Sequence, residues 1–334
     1  LISSTAVVSL LLLIEWNQYS DSHQKQQSEL YAAAVLERPA TAATSSFSAI
    51  DEGIPSVSAP VTTLTETRDQ SASFFLNTDA VNLTISMDGG DITGASLPKF
   101  PVRLDTPDQP FRLLENNALR TYVAQTGLIG PDGIDASGDR ARYVSQGIDV
   151  GADGSHTLTL AWLNNDAVGL QVFKQITAYD NQYVVDVEFD IRNNSGQSVD
   201  VTSFAQLKRD NSEAPDANVG FGVSPYLGAA LTQPDERYTK LKFSDLQDEP
   251  FSKNLPGGWV AILQHYFVSA WIPSQNESHD FFASRLSNGD NVIGYKNTAV
   301  SINAGDQHTI SQRLYVGPKD QVVLSDLAEN LDLV

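Results

Sequence analysis

The chain has 334 residues, 21 Lys+Arg against 41 Asp+Glu for a formal net charge of −20, 41% hydrophobic residues and no cysteine. A surface of that charge is repelled by phosphate backbones, which argues against nucleic acid as a partner. The missing cysteines exclude disulfides, thiolate metal sites and thiol catalysis, and the ordinary hydrophobic content suits one large β domain with tails.

Residues 1–14, "LISSTAVVSLLLLI", are apolar or small and end at Glu15 and Trp16. A bilayer core needs about 20 such residues. The chain starts at Leu1 without a methionine, so the span is expected to be truncated at its start. Trp16 and Tyr19 stand where an interfacial aromatic belt would lie. No small-x-small cleavage site follows Ile14 closely, the nearest being "AAA" at 32–34. An uncleaved membrane anchor over 1–19 is therefore preferred to a secretory signal or a buried helix. Residues 20–76 are rich in Gln, Ser, Thr and Ala with no sustained period, and read as a flexible polar linker.

From residue 77 onward the pattern is that of strands. "AVNLTIS" (80–86) alternates Val81, Leu83 and Ile85; "DGGD" (88–91) is a turn, and "ITGASL" resumes the extended pattern. "HTLTLAWL" (156–163), "LQVFKQITAY" (170–179), "QYVVDVEFDIR" (182–192) and "VDVTSFAQL" (199–207) continue the series, with a hairpin turn at Asp180–Asn181. "NVIGYK" (291–296), "AVSIN" (299–303) and "HTISQRLYVG" (308–317) follow. Strands recurring every 8–12 residues with Gly, Asn and Asp between them indicate a mainly β chain, a large antiparallel sandwich over 77–334. The last segment, "KDQVVLSDLAENLDLV", places Val322, Leu324, Leu327 and Leu331 at helical spacing and predicts a short C-terminal helix.

Two stretches in the second half stand out. "PDERYTKLKFSDL" (234–246) is charged, carries an aromatic residue and is poorly periodic, so it reads as a surface loop. Asp235, Glu236, Arg237, Tyr238, Lys240 and Lys242 are its candidate partner-facing residues, a solvated connector being the alternative. "GGWVAILQHYFVSAWIP" (257–273) is too short for a membrane span, has Gln264 and His265 at its centre and ends at Pro273. It reads as two buried strands, 259–264 and 266–272, with His265 a structural passenger between them rather than a general base.

Chemistry is otherwise sparse. The histidines are His23, His156, His265, His279 and His308; His156 and His279 read as turn residues, and no H-E-x-x-H or H-x-H spacing suggests a metal. "DGGD" and "GPDGIDASGD" (130–139) are acidic Gly-rich loops without EF-hand spacing, read as turns with calcium as the alternative. Trp162, Tyr226, Tyr238, Trp259, Tyr266 and Trp271 could line a sugar or peptide cleft, though at strand spacing they read as core. No nucleophile elbow, P-loop or dinucleotide fingerprint occurs, so no catalytic residue, cofactor or metal is expected.

The 257–273 stretch, taken with "LTISMDGGDITGASLPKFP" (83–101), "FRLLE" (111–115), "YVAQTGLIGPDG" (122–133), "SFAQLKR" (203–209), "PDERYTKLKF" (234–243), "IGYK" (293–296) and "LYVGPKDQ" (314–321), resembles the large periplasmic domain of the YidC bacterial membrane protein insertases. The ordered set covers 79–331, and the anchor sits where that family's first membrane helix lies. The resemblance implies a twisted β-supersandwich similar to galactose mutarotases, held in the periplasm at the bacterial inner membrane, with a C-terminal helix packed on it. It implies insertion and folding of nascent membrane proteins, alone or with the Sec translocon including SecDF, and contact with the lipid bilayer through residues 1–14. No catalytic or cofactor role goes with this domain. The chain departs from the family by stopping at Val334, before the later membrane helices that carry the insertion groove, so it is expected to be an N-terminal fragment or a truncated gene product. The competing class is an exported carbohydrate-binding or aldose-epimerase-like sandwich, for which no acid–base pair is identifiable.

Overall fold

In the computed structural model the described residues are 73–103, 105–135, 140–165, 168–213 and 226–334. The expected anchor and the linker up to residue 72 lie outside them. Two antiparallel sheets form the molecule. The ten-stranded sheet runs, in spatial order, β1 (Ser73–Asn77), β2 (Asn82–Ser86), β3 (Ile92–Pro101), β4 (Pro110–Asn116), β5 (Thr121–Ile129), β10 (Val199–Arg209), β17 (Asn291–Lys296), β16 (Ser278–Arg285) and β13 (Phe251–Pro256), with β18 (Val300–Ile302) also paired to β10. The nine-stranded sheet runs β12 (Thr239–Leu241), β11 (Gly228–Leu231), β14 (Val260–Leu263), β15 (Phe267–Ile272), β19 (Gln307–Pro318), β9 (Val184–Asn193), β8 (Leu170–Tyr179), β7 (Ser155–Trp162) and β6 (Tyr143–Val150). Strand structure thus begins at Ser73, a few residues inside the stretch read as linker.

Period-2 alternation builds the interlayer core. Val185, Val187, Phe189 and Ile191 of β9 and Val172, Ile176 and Ala178 of β8 point inward, against Leu83, Ala124, Leu128, Ala205, Leu207 and Ile293 of the other sheet. The β8–β9 hairpin pairs Ala178 with Val185, and Asn181 at its turn adopts φ 60, a left-handed conformation that Asn tolerates. Around that turn, Asn181 N–H donates to Asp79 Oδ1 at 2.5 Å, and Lys99 Nζ donates to Asp79 Oδ2 and Asn181 Oδ1, each at 2.9 Å.

The two apolar halves of 257–273, on either side of Gln264 and His265, have their cause in two-sided burial. Val260, Ile262 and Trp271 enter the interlayer core, whereas Trp259, Ala261, Leu263, Val268, Ala270 and Ile272 belong to a second cluster on the opposite face. That second cluster includes Leu324, Ala328 and Leu331 from the end of the chain. Helix α1 (Gln321–Leu327) starts at Asp320, whose carboxylate accepts from Val322 N at 3.0 Å and Val323 N at 3.3 Å. A 3-10 turn, Leu331–Leu333, follows. Burying Leu324 and Leu331 contributes about 1.5–3 kcal/mol each. The predicted helix is present but shorter than its apolar spacing suggested, and Val322 is 72% exposed rather than packed.

Candidate functional site

The segment read as a loop at 234–246 starts in the turn that joins β11 to β12, includes the short strand β12 and runs on beyond it, at one terminal edge of the nine-stranded sheet. Gln233 and Glu236 exchange backbone hydrogen bonds of 3.0 and 3.2 Å, closing a turn that carries Pro234 and Asp235. Asp235, Glu236, Arg237, Lys240 and Lys242 are exposed, so the structure brings five of the six candidates to solvent together. Tyr238 differs. It is half-buried, its ring centroid is 6.4 Å from that of Trp259, and burial raises its pKa. Lys240 Nζ lies 4.7 Å from the Tyr226 ring centroid and 5.4 Å from that of Tyr238, a cation held over two aromatic faces. Trp259 Nε1 donates to Glu329 O at 3.1 Å. The charged hairpin and the C-terminal segment are therefore tied through one indole, which makes them a continuous edge surface. The buried Phe243 and Leu246 anchor the rest of the segment, so it is not a loose connector.

The two acidic Gly-rich loops meet inside the protein, and the cation they receive is a side chain. Arg140 Nη2 donates to Asp91 Oδ1 at 2.5 Å, Arg140 Nη1 donates to Asp135 Oδ1 at 2.9 Å, and Nη2 also reaches Thr126 O at 2.7 Å. Asp135 further accepts from Leu128 N and Ala141 N, and Asp91 from Gln125 Nε2 at 2.7 Å. Burial disfavours the charged Arg140, but Asp91 and Asp135 outweigh it and raise its pKa. Lys174, in phase with the inward-pointing residues of β8, donates to Gly89 O at 2.8 Å and Thr126 O at 3.3 Å. Burial pushes its pKa down to about 7, opposed by Asp91. Two cations against two carboxylates leave this interior formally balanced, as buried charge requires. Gly89 and Gly127 make room for it: a Cβ on Gly89, at φ +76, would lie 2.4 Å from Arg140 Nε, and one on Gly127 would lie 2.4 Å from Asp135 Oδ2. Among the described residues no group of three or more His, Cys, Asp or Glu could hold a metal ion.

A second buried polar group explains Gln264. With its amide oxygen turned toward them, it accepts from Arg120 Nη2 at 3.1 Å and Arg209 Nη1 at 2.9 Å, while the Arg209 guanidinium lies 4.9 Å over the Tyr122 ring. Burial pushes the Tyr122 hydroxyl up to about 12, with Arg209 pulling the other way. These contacts hold the β14–β15 turn against the opposite sheet. His265 lies between the two strands, as expected of a structural passenger, exposed at the tip of that turn, and stacks on Tyr266 at 4.0 Å. The reason is register: Gln264 N–H bonds Phe267 O, so the residues between them turn outward. His156 and His279, read as turn residues, lie in β7 and β16. His279 is 2% exposed, with Nδ1 2.7 Å from Asn297 Oδ1 and Nε2 2.8 Å from Ser274 O. The six aromatic residues do not share one face: Trp271 and Trp259 lie on opposite sides of one sheet, while Tyr226 and Tyr238 gather near Trp259.

Gln264 stands out in the sequence as a polar residue inside an apolar run, and Lys174 as a lysine at an inward position of an alternating strand, but neither they nor Arg140 are marked there as members of buried polar groups. Chemically, an amine with a depressed pKa acts on a substrate only where one reaches it, and Lys174 is 1% exposed.

Residues 74–334 match the family model of the YidC periplasmic domain. The chain belongs to this family. The membrane protein insertase YidC of Stutzerimonas stutzeri (strain A1501) is 37% identical over 340 residues, covering 100% of this chain and 60% of that protein. The membrane protein insertase YidC of Azotobacter vinelandii (strain DJ / ATCC BAA-1303) is 37% identical over 347 residues, with the same two coverages. The chain thus spans about 60% of the length of these curated YidC relatives. A galactose mutarotase related enzyme from Lactobacillus acidophilus has a similar solved structure, with a TM-score of 0.48 and 10% identity over 73% of this chain and 97% of that one. That likeness is too distant to bear on activity. Both the hairpin edge and the buried ionic group lie within the span matched to the YidC periplasmic domain.

Proposed function

We propose that this chain is the periplasmic part of a membrane protein insertase, attached to the inner membrane through residues 1–14, and that it works by contact rather than by covalent chemistry. Its partners in this reading are components of the Sec translocon, SecDF among them, and nascent membrane proteins that it helps to fold. The observation that carries the reading is the family match over 74–334, joined to alignment of the whole of this chain with about 60% of proteins named as membrane protein insertases. The buried group of Arg140, Lys174, Asp91 and Asp135 is shielded from solvent and formally balanced, which favours a structural role for it over a catalytic one. The contact surface in this reading is the edge formed by the β11–β12 hairpin, with Asp235, Glu236, Arg237, Lys240 and Lys242 exposed and Tyr238 fixing the hairpin to Trp259.

The test replaces those five exposed residues by Ser and leaves Tyr238 in place. Co-purification of SecDF from detergent-solubilised membranes is expected to fall several-fold while thermal stability stays near that of the parent. Undiminished co-purification would remove the hairpin as the contact surface.

A further inference from the structure

Among the described residues, the side chains facing the interlayer core that carry polar atoms with no hydrogen bond inside the protein include Thr126 Oγ1, Trp271 Nε1, Tyr295 Oη, and both Nε2 and Oε1 of Gln312. Their residues are 2%, 0%, 0% and 3% exposed, respectively. The register brings them together in pairs. Thr126 and Tyr295 both pair with Ala205, one from each side, so they flank it on the inner face of the ten-stranded sheet. Trp271 pairs with Leu314, two residues from Gln312, on the inner face of the other sheet. Strand β10, which carries Ala205, packs against β15, which carries Trp271.

Left dry, five such atoms would cost about as much as the whole stability of an ordinary domain. Natural interiors satisfy such groups with bound water making several hydrogen bonds. The chemistry of this set is mixed: the indole only donates, the amide offers one donor group and one acceptor, and the hydroxyls do both. It carries no charge of its own, being an indole, an amide and two hydroxyls.

We propose that Thr126, Trp271, Tyr295 and Gln312 form an internal site for a neutral hydroxylic ligand, water in the first instance, between the two sheets. The site adjoins the ionic group through Thr126, whose carbonyl accepts from Lys174 and Arg140 while its hydroxyl faces the ligand. A small polyol presents the same hydroxyl chemistry, and the experiment separates the two sources.

Gln312→Met and Tyr295→Phe keep side-chain volume and remove polar atoms. In a dry core each would raise Tm, because an unsatisfied group is lost. In a hydrated one each strands a bound ligand and is expected to lower Tm by about 2–4 °C. Oxygen-17 magnetic relaxation dispersion on the full chain counts slowly exchanging internal waters; the parent is expected to exceed Gln312→Met by at least one. Glycerol that raises the Tm of the parent more than that of Gln312→Met identifies a polyol as occupant, and equal shifts identify water. A raised Tm in both variants with an unchanged water count would overturn the site.

Discussion

Arg140→Met removes the one guanidinium shared by two buried carboxylates. The side chains of Arg140, Asp91 and Asp135 are 8%, 7% and 1% exposed, so solvent screens the loss little. Removing one partner of a buried ion pair costs about 3–5 kcal/mol. Here part is offset, because Asp135 keeps two backbone donors and Asp91 keeps Gln125. A loss of about 3 kcal/mol is therefore expected, or a Tm lower by about 6–12 °C. Thermal and urea unfolding followed by near-ultraviolet circular dichroism at pH 7 would measure it. The double variant Arg140→Met/Asp91→Asn restores the balance of one cation, Lys174, against one carboxylate, Asp135, keeps an amide oxygen for Gln125, and is expected to recover more than half of the loss. A single variant within about 1 kcal/mol of the parent, the ordinary effect of a point substitution, would refute the reasoning. So would a double variant less stable than the single one.

Three further outcomes follow from the same geometry. With Lys174 pushed down to about 7 by burial, the native state loses its proton near pH 7 while the unfolded chain keeps it to the ordinary lysine value of 10.5. The cost of the buried charge is thus complete below pH 7 and relieved above it, so the stability of the parent relative to Lys174→Met should rise between about pH 7 and 10 in urea titrations; a flat difference would count against a charged buried lysine. Leu331→Ala, at a residue 0% exposed, should cost about 2–5 kcal/mol or release the C-terminal segment, seen as faster amide exchange over 321–334; unchanged exchange and stability would contradict its packing. Gly127→Ala should lose about 1–3 kcal/mol in the same urea assay, because its methyl would press on Asp135, Phe204 and Arg140, and a neutral result would mean the cradle is loose.

Strands with one face in the core and one in water were readable from the sequence. "LQVFKQITAY" coincides with β8, because alternation there records which side chains meet the other sheet, whereas "NVIGYK" coincides with β17 although that strand is buried almost throughout. Strand β5 was missed because Tyr122–Ile129 is buried almost throughout and leaves no alternation to read. Strand β13 was missed for the opposite reason, its residues being mostly exposed on a sheet edge. The Gly-rich acidic stretches at 88–91 and 130–135 were legible as turns, but the meeting of Asp91 and Asp135 at Arg140 is a product of tertiary packing, which no local pattern encodes. The helix that ends the chain was legible as a period. That it covers the outer face of β14 and β15, making 257–273 apolar on both sides, was not.

The central claim is that this chain works by contact at its hairpin edge. Photo-crosslinking in living cells tests it most directly, with a probe amino acid at Glu236 or Lys242 and a control at Glu188, on β9 of the same sheet away from the edge. Adducts with SecDF or with nascent membrane proteins are expected from the two edge positions and not from the control. No adduct at either edge position, or equal yield from Glu188, would contradict it.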